Sequence, residues 1–184
     1  FNLGGGNEVP FASSVAVFDP APSQASVYEY KAAHFDVRLQ AVSHYALFGS
    51  SQNLDGSAGS SGYAELPGND LIVTLGQWGF QTSGADNLTE LVNLQAAALM
   101  HELGHNLGLH HGGDVDTNSK PTYLSMMNYL YTLYGLPVLG SPKEGDRFAL
   151  DHYYALGTDC GVTDTSQLER GPFELCASQQ VRTD

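Results

Sequence analysis

The stretch LMHELGHNLGLHHGGD, residues 99–114, constrains the fold of this chain more than any other part of the sequence. His101 and His105 are four residues apart, so a helix places both imidazoles on one face. Apolar residues recur at helical spacing before and between them, which predicts a helix over about 88–107. Gly108 is expected to end this helix, because glycine adopts the left-handed conformation without steric cost.

A third histidine, His111, follows ten residues after His101. A continuous helix would carry it about 15 Å along the axis, too far to share an ion with the other two. A turn after the helix can bring it back, and a catalytic zinc takes three protein ligands and keeps one open position. The pattern therefore predicts one zinc ion bound by His101, His105 and His111. Glu102, beside the first ligand, is the predicted general base.

The full string, His-Glu-x-x-His-x-x-Gly-x-x-His, resembles the zinc-binding consensus of the metzincin metallopeptidases. A second motif, Ser125-Met126-Met127-Asn128-Tyr129, is similar to the Met-turn S-x-M-x-Y of the astacin- and serralysin-like members. The resemblance implies that Met127 lies beneath the zinc histidines, and that Tyr129 can approach the zinc and bind the reaction intermediate. The alternative that Met127 and Tyr129 only fill the core stays open, and no subfamily is assigned.

A metzincin-like chain implies an α+β fold in a single catalytic domain, residues 1–184, with zinc on the floor of a cleft between two lobes. The upper lobe, about 1–108, is expected to hold a small mixed β-sheet and the active-site helix. The lower lobe, about 109–184, is expected to be mostly irregular, with one helix near 146–155. In such enzymes an antiparallel edge strand pairs with extended substrate, and 62–66 is the candidate strand.

The remaining elements are predicted from apolar patterns and turn residues. Strands are expected at 14–18, 43–49, 63–67 and 70–76, of which the last is interior and the third lies at an edge. A second helix is expected over 27–41. Asn87, three residues before Glu90, is expected to cap the long helix. By resemblance, the chain after the Met-turn, 130–137, walls the specificity pocket.

The resemblance implies a zinc-dependent endopeptidase that hydrolyses peptide bonds of extended protein substrates. Glu102 would take a proton from a water on the zinc and pass it to the leaving amine. Zinc and the Tyr129 hydroxyl would stabilise the oxyanion. Two alternatives share the metal site: a zinc amidase acting on modified or cell-wall peptides, and a non-enzymatic metal-binding module. A non-enzymatic module would be expected to have lost the base or a ligand, and here Glu102 and all three histidines are present, which argues against it.

The chain is strongly acidic, with 20 Asp and Glu against 7 Lys and Arg, a formal net charge of -13. Because phosphate binding needs a basic face, nucleic acid is excluded as a partner. No run of 18 apolar residues occurs, so no membrane span is expected. The acidity favours a solvated surface, with calcium binding as the alternative. The expected partner is a protein or peptide substrate. The chain is expected to be a monomer.

Cys160 and Cys176 are the two cysteines, and a disulfide between them would contribute about 3 kcal/mol in the chain-entropy model. Two separate buried thiols are the alternative. The cysteine pair, the scarcity of lysine and the abundance of Ser, Thr, Gly and Tyr favour a secreted, extracellular protein. The chain begins at Phe1 without a leader, so we interpret it as a mature or trimmed form, with any pro-segment or inhibitor outside it.

Three polar residues around the third histidine have weaker interpretations. His110 directly precedes His111 and is the alternative ligand, but the motif spacing favours His111. Asp114 and Asp116 are expected to cap the turn, with orientation of a metal histidine or calcium binding as alternatives.

Overall fold

Two helices and three strands make up the regular structure of the described part of the chain. The computed structural model describes residues 6–133 apart from 20, 22, 81–82 and 121–122, and for 85–90 it describes the backbone alone. The elements are α1 (Val27–His34), β1 (Tyr45–Phe48), β2 (Gly62–Ala64), β3 (Asp70–Val73) and α2 (Ala85–Asn106). The predicted helix near 146–155 and the predicted disulfide between Cys160 and Cys176 lie outside the described residues.

The three strands form one mixed sheet in the order β1-β3-β2. β1 runs parallel to β3, with Tyr45 opposite Asp70, and β2 runs antiparallel to it, with Tyr63 opposite Ile72. The central strand is buried along its whole length, as its continuous apolar run predicts. β2 lies at an edge of this sheet, as predicted, so its outer backbone groups face away from β3.

Apolar side chains on both faces of the sheet hold the helices in place. Leu71 and Val73 pack with Leu94 of α2 on one face. Ile72 points to the other face and packs with Val27 of α1. The three strand residues are each at most 1% exposed, and full burial of a side chain of this size contributes about 1.5–3 kcal/mol. This packing lays α2 along the sheet, in contact with β2 and β3.

α1 begins as its sequence predicts and ends earlier. Ser26 and Glu29 form a reciprocal capping box at its first turn. The helix ends at His34, so the prediction of a helix as far as residue 41 is wrong. The reason is tertiary: Phe35 is extended, and its ring packs against Tyr45 of β1 at a centroid distance of 5.1 Å.

Two other local predictions are wrong: the strand at 14–18 and the helix cap at Asn87. No strand forms at 14–18, where Ala16 makes only an isolated bridge. The reason is that the N–H groups of two successive residues bond to different segments, Val15 to the Ser51 carbonyl and Ala16 to the Ala25 carbonyl. Asn87 does not cap α2, which begins earlier, at Ala85. The N-cap residue is Gly84, whose φ of 92° is readily adopted by glycine. No side chain makes a capping hydrogen bond to the first turn of α2.

A buried polar network ties the C-terminal end of α2 to the sheet. The Asn106 amide donates to the carbonyl oxygens of Glu65 and Asp70 at 3.0 Å each, and its own oxygen lies 3.0 Å from His44 Nδ1. The buried ion pair between Lys31 and Asp70 joins α1 to the same corner. Because a buried polar group is costly without its partner, these contacts fix the position of the last turn of α2.

Within the part of the chain that the structure describes, neither α1 nor the 22-residue α2 is long and apolar enough to cross a membrane. This agrees with the expectation from the sequence.

Candidate metal centre

His101 and His105 project from the last two turns of α2 toward one point. Their ring centroids are 4.8 Å apart, as expected for two rings four residues apart on one helix face. The two Nε2 atoms face each other at 3.2 Å. Both rings border the cleft that opens beside β2.

The chain turns at Gly108 and brings His111 back to this pair. Gly108 has a φ of +90°, its N–H bonds to the His105 carbonyl at 2.8 Å, and the Leu109 N–H bonds to the Gly104 carbonyl at 2.9 Å. These two bonds form a Schellman motif, in which a left-handed residue ends a helix. The His111 ring centroid then lies 4.8 Å from that of His105. One ligand atom from each of the three histidines lies within 4.8 Å of the other two.

Met127 packs beneath the histidine-bearing turns of α2. It is 2% exposed, and a Cβ at Gly104 would collide with its sulfur. Glycine inside a helix costs about 1 kcal/mol relative to alanine. The close contact with Met127 explains why position 104 has no side chain, and it places the predicted Met-turn, residues 125–129, directly against the helix.

Hydrogen bonds on the outer side of two rings determine which nitrogens face the centre. His101 Nδ1 lies 2.8 Å from the Met126 carbonyl oxygen, and His105 Nδ1 lies 2.8 Å from the Leu109 carbonyl oxygen. Since a carbonyl only accepts, Nδ1 donates in each ring and Nε2 keeps its lone pair. Burial lowers the pKa of His101 to about 4 and also lowers the pKa of His105 and His111. All three rings are therefore neutral at pH 7.

The spacing of the first two neutral imidazoles fits a zinc ion, and a ligand atom of the third lies within 4.8 Å of them. Tetrahedral bonds of about 2.0–2.1 Å place ligand nitrogens roughly 3.3–3.4 Å apart. The two Nε2 atoms at 3.2 Å are close to that separation, and their lone pairs repel unless a cation lies between them. An all-nitrogen set suits zinc and related transition metals, whereas calcium and magnesium require oxygen ligands. Among the described residues this is the one group of three or more side chains with metal-binding geometry.

Glu102 lies between the histidines and β2. It is 4% exposed, and burial raises its pKa to about 8. Gly62 provides the space for it, because a Cβ there would lie 2.7 Å from the Glu102 Cγ and Oε1 atoms and 2.6 Å from the Ile72 carbonyl oxygen. A cation at the centre would favour the carboxylate and lower this pKa. Glu102 is thus a buried carboxyl beside the candidate site, and its protonation depends on whether a cation is bound there.

Tyr129 covers the solvent side of the cluster. Its ring centroid lies 4.4 Å from that of His111 and 5.5 Å from that of His101, and the residue is 56% exposed. Burial, and secondarily the charge of Glu102, raise the pKa of the Tyr129 hydroxyl. The hydroxyl is therefore protonated at neutral pH and able to donate a hydrogen bond.

A cleft of about 310 Å³ connects these groups to the edge of the sheet. One side is formed by β2 and the residues next to it, including Leu66, and the other by the histidines, Glu102 and Tyr129. Residues 130–133, the described part of the predicted pocket wall, are not among the residues that line this cleft. Residues 134–137 lie outside the described part of the chain.

His110 is outside the cluster and pairs with Asp116, which lines the cleft. Its Nδ1 lies 2.9 Å from Asp116 Oδ1, in a turn closed by two backbone bonds between His110 and Gly113. The hydrogen bond of Asp116 thus goes to a histidine outside the cluster and to none of the three proposed ligands. Asp114 is exposed and is not among the cleft-lining residues.

Two buried polar residues that shape the Met-turn were missed from the sequence. Asn128, fully buried, donates to the carbonyl oxygens of Lys120 and Tyr123 at 2.6 and 2.8 Å. The Thr132 hydroxyl lies 3.2 Å from His101 Nδ1. A polar residue within an apolar, tyrosine-rich run signals that each side chain is buried and paired, but it does not identify the partner.

Comparisons of the chain with models of known protein families, with curated proteins and with solved structures found no match in any of the three. The assignment of this site therefore rests on its own residues and their geometry.

Proposed function

We propose that this chain is a zinc-dependent endopeptidase in which His101, His105 and His111 bind the metal and Glu102 is the general base. The observation that carries the proposal is the convergence of three neutral imidazoles beside a buried carboxyl, in a cleft that follows a sheet edge. The resemblance of the two sequence motifs to metzincins supports the same activity. The two-lobed metzincin-like arrangement stays a prediction, since 134–184 lie outside the described residues.

Glu102 performs the proton transfers of the proposed reaction. When bound, zinc would supply a Lewis acid that makes water nucleophilic near neutral pH and polarises the substrate carbonyl. Glu102 accepts the proton that the attacking water loses and delivers it to the leaving amine. Burial raises the Glu102 pKa and a nearby cation lowers it, so both protonation states are accessible near neutral pH.

Tyr129 is the proposed donor to the developing oxyanion. Its protonated hydroxyl belongs to a ring that contacts His111 at the open side of the cluster. A donor placed where negative charge develops lowers the barrier more than it stabilises the substrate. The half-exposed ring has room to move as the substrate enters.

β2 offers backbone groups for an extended peptide. Ser61 and Glu65 bond across to β3, through Thr74 N–H to the Ser61 carbonyl and Glu65 N–H to the Asp70 carbonyl. In an antiparallel pair the residues that bond to the partner alternate with residues that face outward. The N–H and C=O groups of Ala64 therefore face away from β3, on the side of the cleft, where a substrate strand can pair with them.

We also propose that the chain is secreted and carries a disulfide between Cys160 and Cys176. Both proposals rest on composition and cysteine usage.

The decisive experiment is incubation of the purified chain with an unfolded protein and a peptide library, with zinc and with a chelator. Cleavage is expected only with zinc. Glu102→Gln is expected to lose at least about 10²–10⁴-fold in rate while it still binds zinc. Absence of cleavage at every peptide bond by the zinc-loaded chain would refute the endopeptidase; cleavage of modified or cell-wall peptides alone would indicate an amidase, and zinc binding without hydrolysis a binding module.

A further inference from the structure

We infer that the Thr132 hydroxyl is a positioning group that holds His101 in the tautomer whose Nε2 binds metal, an inference that rests on the proposed metal function of this site. Thr132 lies 31 residues after His101 and is 4% exposed. Its Oγ1 is 3.2 Å from His101 Nδ1, on the opposite side of the ring from the metal-facing nitrogen. Thr132 belongs to the segment predicted to wall the pocket, yet its hydroxyl contacts the metal histidine instead.

The direction of this contact follows from the other partners of the hydroxyl. Thr132 Oγ1 also lies 2.8 Å from the Met126 carbonyl oxygen and 3.0 Å from the Asn128 carbonyl oxygen. A hydroxyl has one proton, and two carbonyl oxygens, which only accept, compete for it. The lone pairs of Thr132 Oγ1 are therefore left for the His101 ring, and His101 Nδ1–H donates toward both Met126 and Thr132.

This arrangement penalises the wrong tautomer. With the proton on Nε2 instead, the Nδ1 lone pair of His101 would face the Met126 carbonyl oxygen, and an N–H would point at the metal position. The hydroxyl proton of Thr132 would then have to leave a carbonyl partner in order to bond the ring. His105 has one such acceptor, the Leu109 carbonyl. His101 has two acceptors at its Nδ1, the Met126 carbonyl and the Thr132 hydroxyl. It is 3% exposed and the most buried of the three ligands.

The first test compares zinc affinity in matched variants. Thr132→Val removes the hydroxyl at nearly constant volume, Thr132→Ser keeps it, and Ser57→Ala removes a hydroxyl that bonds to Asp55 and Asn53 and does not line the cleft. The dissociation constant is measured by competition with a chromophoric chelator on folded protein. Thr132→Val is expected to bind zinc about 10–100-fold more weakly, and the Thr132→Ser and Ser57→Ala variants within roughly threefold of wild type. Wild-type affinity in Thr132→Val, or equal weakening in Thr132→Ser, overturns the inference.

The second test reads the tautomer directly and remains available if Thr132→Val does not fold. Imidazole ¹⁵N NMR on the zinc-free wild-type chain is expected to show the His101 proton on Nδ1. A population of the Nε2–H form should appear in Thr132→Ala, a smaller variant that also lacks the hydroxyl, and not in Thr132→Ser. A Thr132→Ala spectrum identical to that of the wild type overturns the inference. A wild-type His101 protonated on Nε2 overturns the inference. Because this spectrum requires neither zinc nor substrate, it separates failure of the inference from failure of the proposed peptidase function.

Discussion

The sulfur of Met127 occupies the space that a side chain at Gly104 would need. The contact sets how closely the Met-turn approaches α2, and the neighbouring Met126 carbonyl oxygen orients the ring of His101. The orientation of His101, about one helical turn before Gly104, therefore depends on the absence of a side chain at position 104.

Gly104→Ala is expected to lower stability although alanine is the better helix former. Alanine contributes about 1 kcal/mol through helix propensity, but overpacking a closed contact costs about 1–3 kcal/mol. Displacement of Met127 should also move the Met126 carbonyl and weaken zinc binding. Urea unfolding and zinc competition measure the two effects. The matched control is Val92→Ala on the exposed side of α2, expected within about ±0.5 kcal/mol; a Gly104→Ala protein indistinguishable from this control contradicts the packing argument.

Replacement of His111 by alanine is expected to weaken zinc binding far more than replacement of its neighbour His110. His111 supplies a nitrogen to the cluster, whereas His110 pairs with Asp116 at its exposed rim. Loss of an outer contact typically costs about 10–100-fold in metal affinity, and loss of a ligand more. Zinc content after dialysis against a weak chelator distinguishes the variants. If His110→Ala is the more damaging change, the third ligand has been assigned to the wrong residue.

Gly62→Ala should impair catalysis while zinc stays bound. The added Cβ would press against the Ile72 carbonyl oxygen and the side chain of Glu102. A displacement of about 1 Å in a reacting group can cost roughly 10²-fold in rate. The ratio kcat/KM and the zinc content of the same preparation are the measurements. Gly6→Ala, where an added Cβ meets nothing within 4 Å, is the control; full activity in Gly62→Ala would show that Glu102 needs no such clearance.

Removal of the Tyr28 hydroxyl should change stability in a pH-dependent way. Burial pushes the Glu65 pKa upward, but hydrogen bonds from Tyr28 and from the N–H groups of Asn69 and Asp70 outweigh it, and the net pKa lies below the usual value. A lowered folded pKa stabilises the fold above the unfolded pKa, and this contribution is lost as the pH falls through the folded value. Tyr28→Phe should lower the free energy of unfolding at pH 7 by less than about 1 kcal/mol, because the pair is exposed.

The difference between wild type and Tyr28→Phe should shrink on acidification below about pH 4, where Glu65 becomes protonated. The Glu65 contact also raises the pKa of Tyr28 to about 12, so the same bond is lost again as the pH rises from about 10 to 12. Tyr30→Phe is the control, since that hydroxyl donates to the Pro10 carbonyl, which does not titrate. Urea unfolding at several pH values gives the profile, and an equal difference at pH 7 and pH 3 would contradict the assignment.

The parts of the site that could be predicted from sequence are those in which interacting residues are close in the chain. The spacing of His101 and His105 on one helix and the left-handed turn at Gly108 are local properties, and the structure shows both. The central strand was predictable for the same reason, because a continuous apolar run needs burial on both faces.

The features that sequence reasoning missed depend on distant contacts. α1 stops at His34 because Phe35 packs on a strand, and no local signal marks that end. The need for glycine at position 62 comes from a helix residue forty positions later, Glu102. Thr132 and His101 meet across 31 residues, and an isolated threonine has no spacing rule that would reveal the contact.

The turn at Gly108 has a consequence for the order of assembly during folding. Because all three proposed ligands lie within residues 101–111, closing the loop between them costs little chain entropy. A peptide covering 99–114 should therefore capture zinc before any sheet exists, though more weakly than the folded chain, since it lacks the Met126 carbonyl. We therefore expect the metal and residues 101–111 to form a folding nucleus with only local contacts. The Met-turn would dock later and increase the zinc affinity of a site that has already formed.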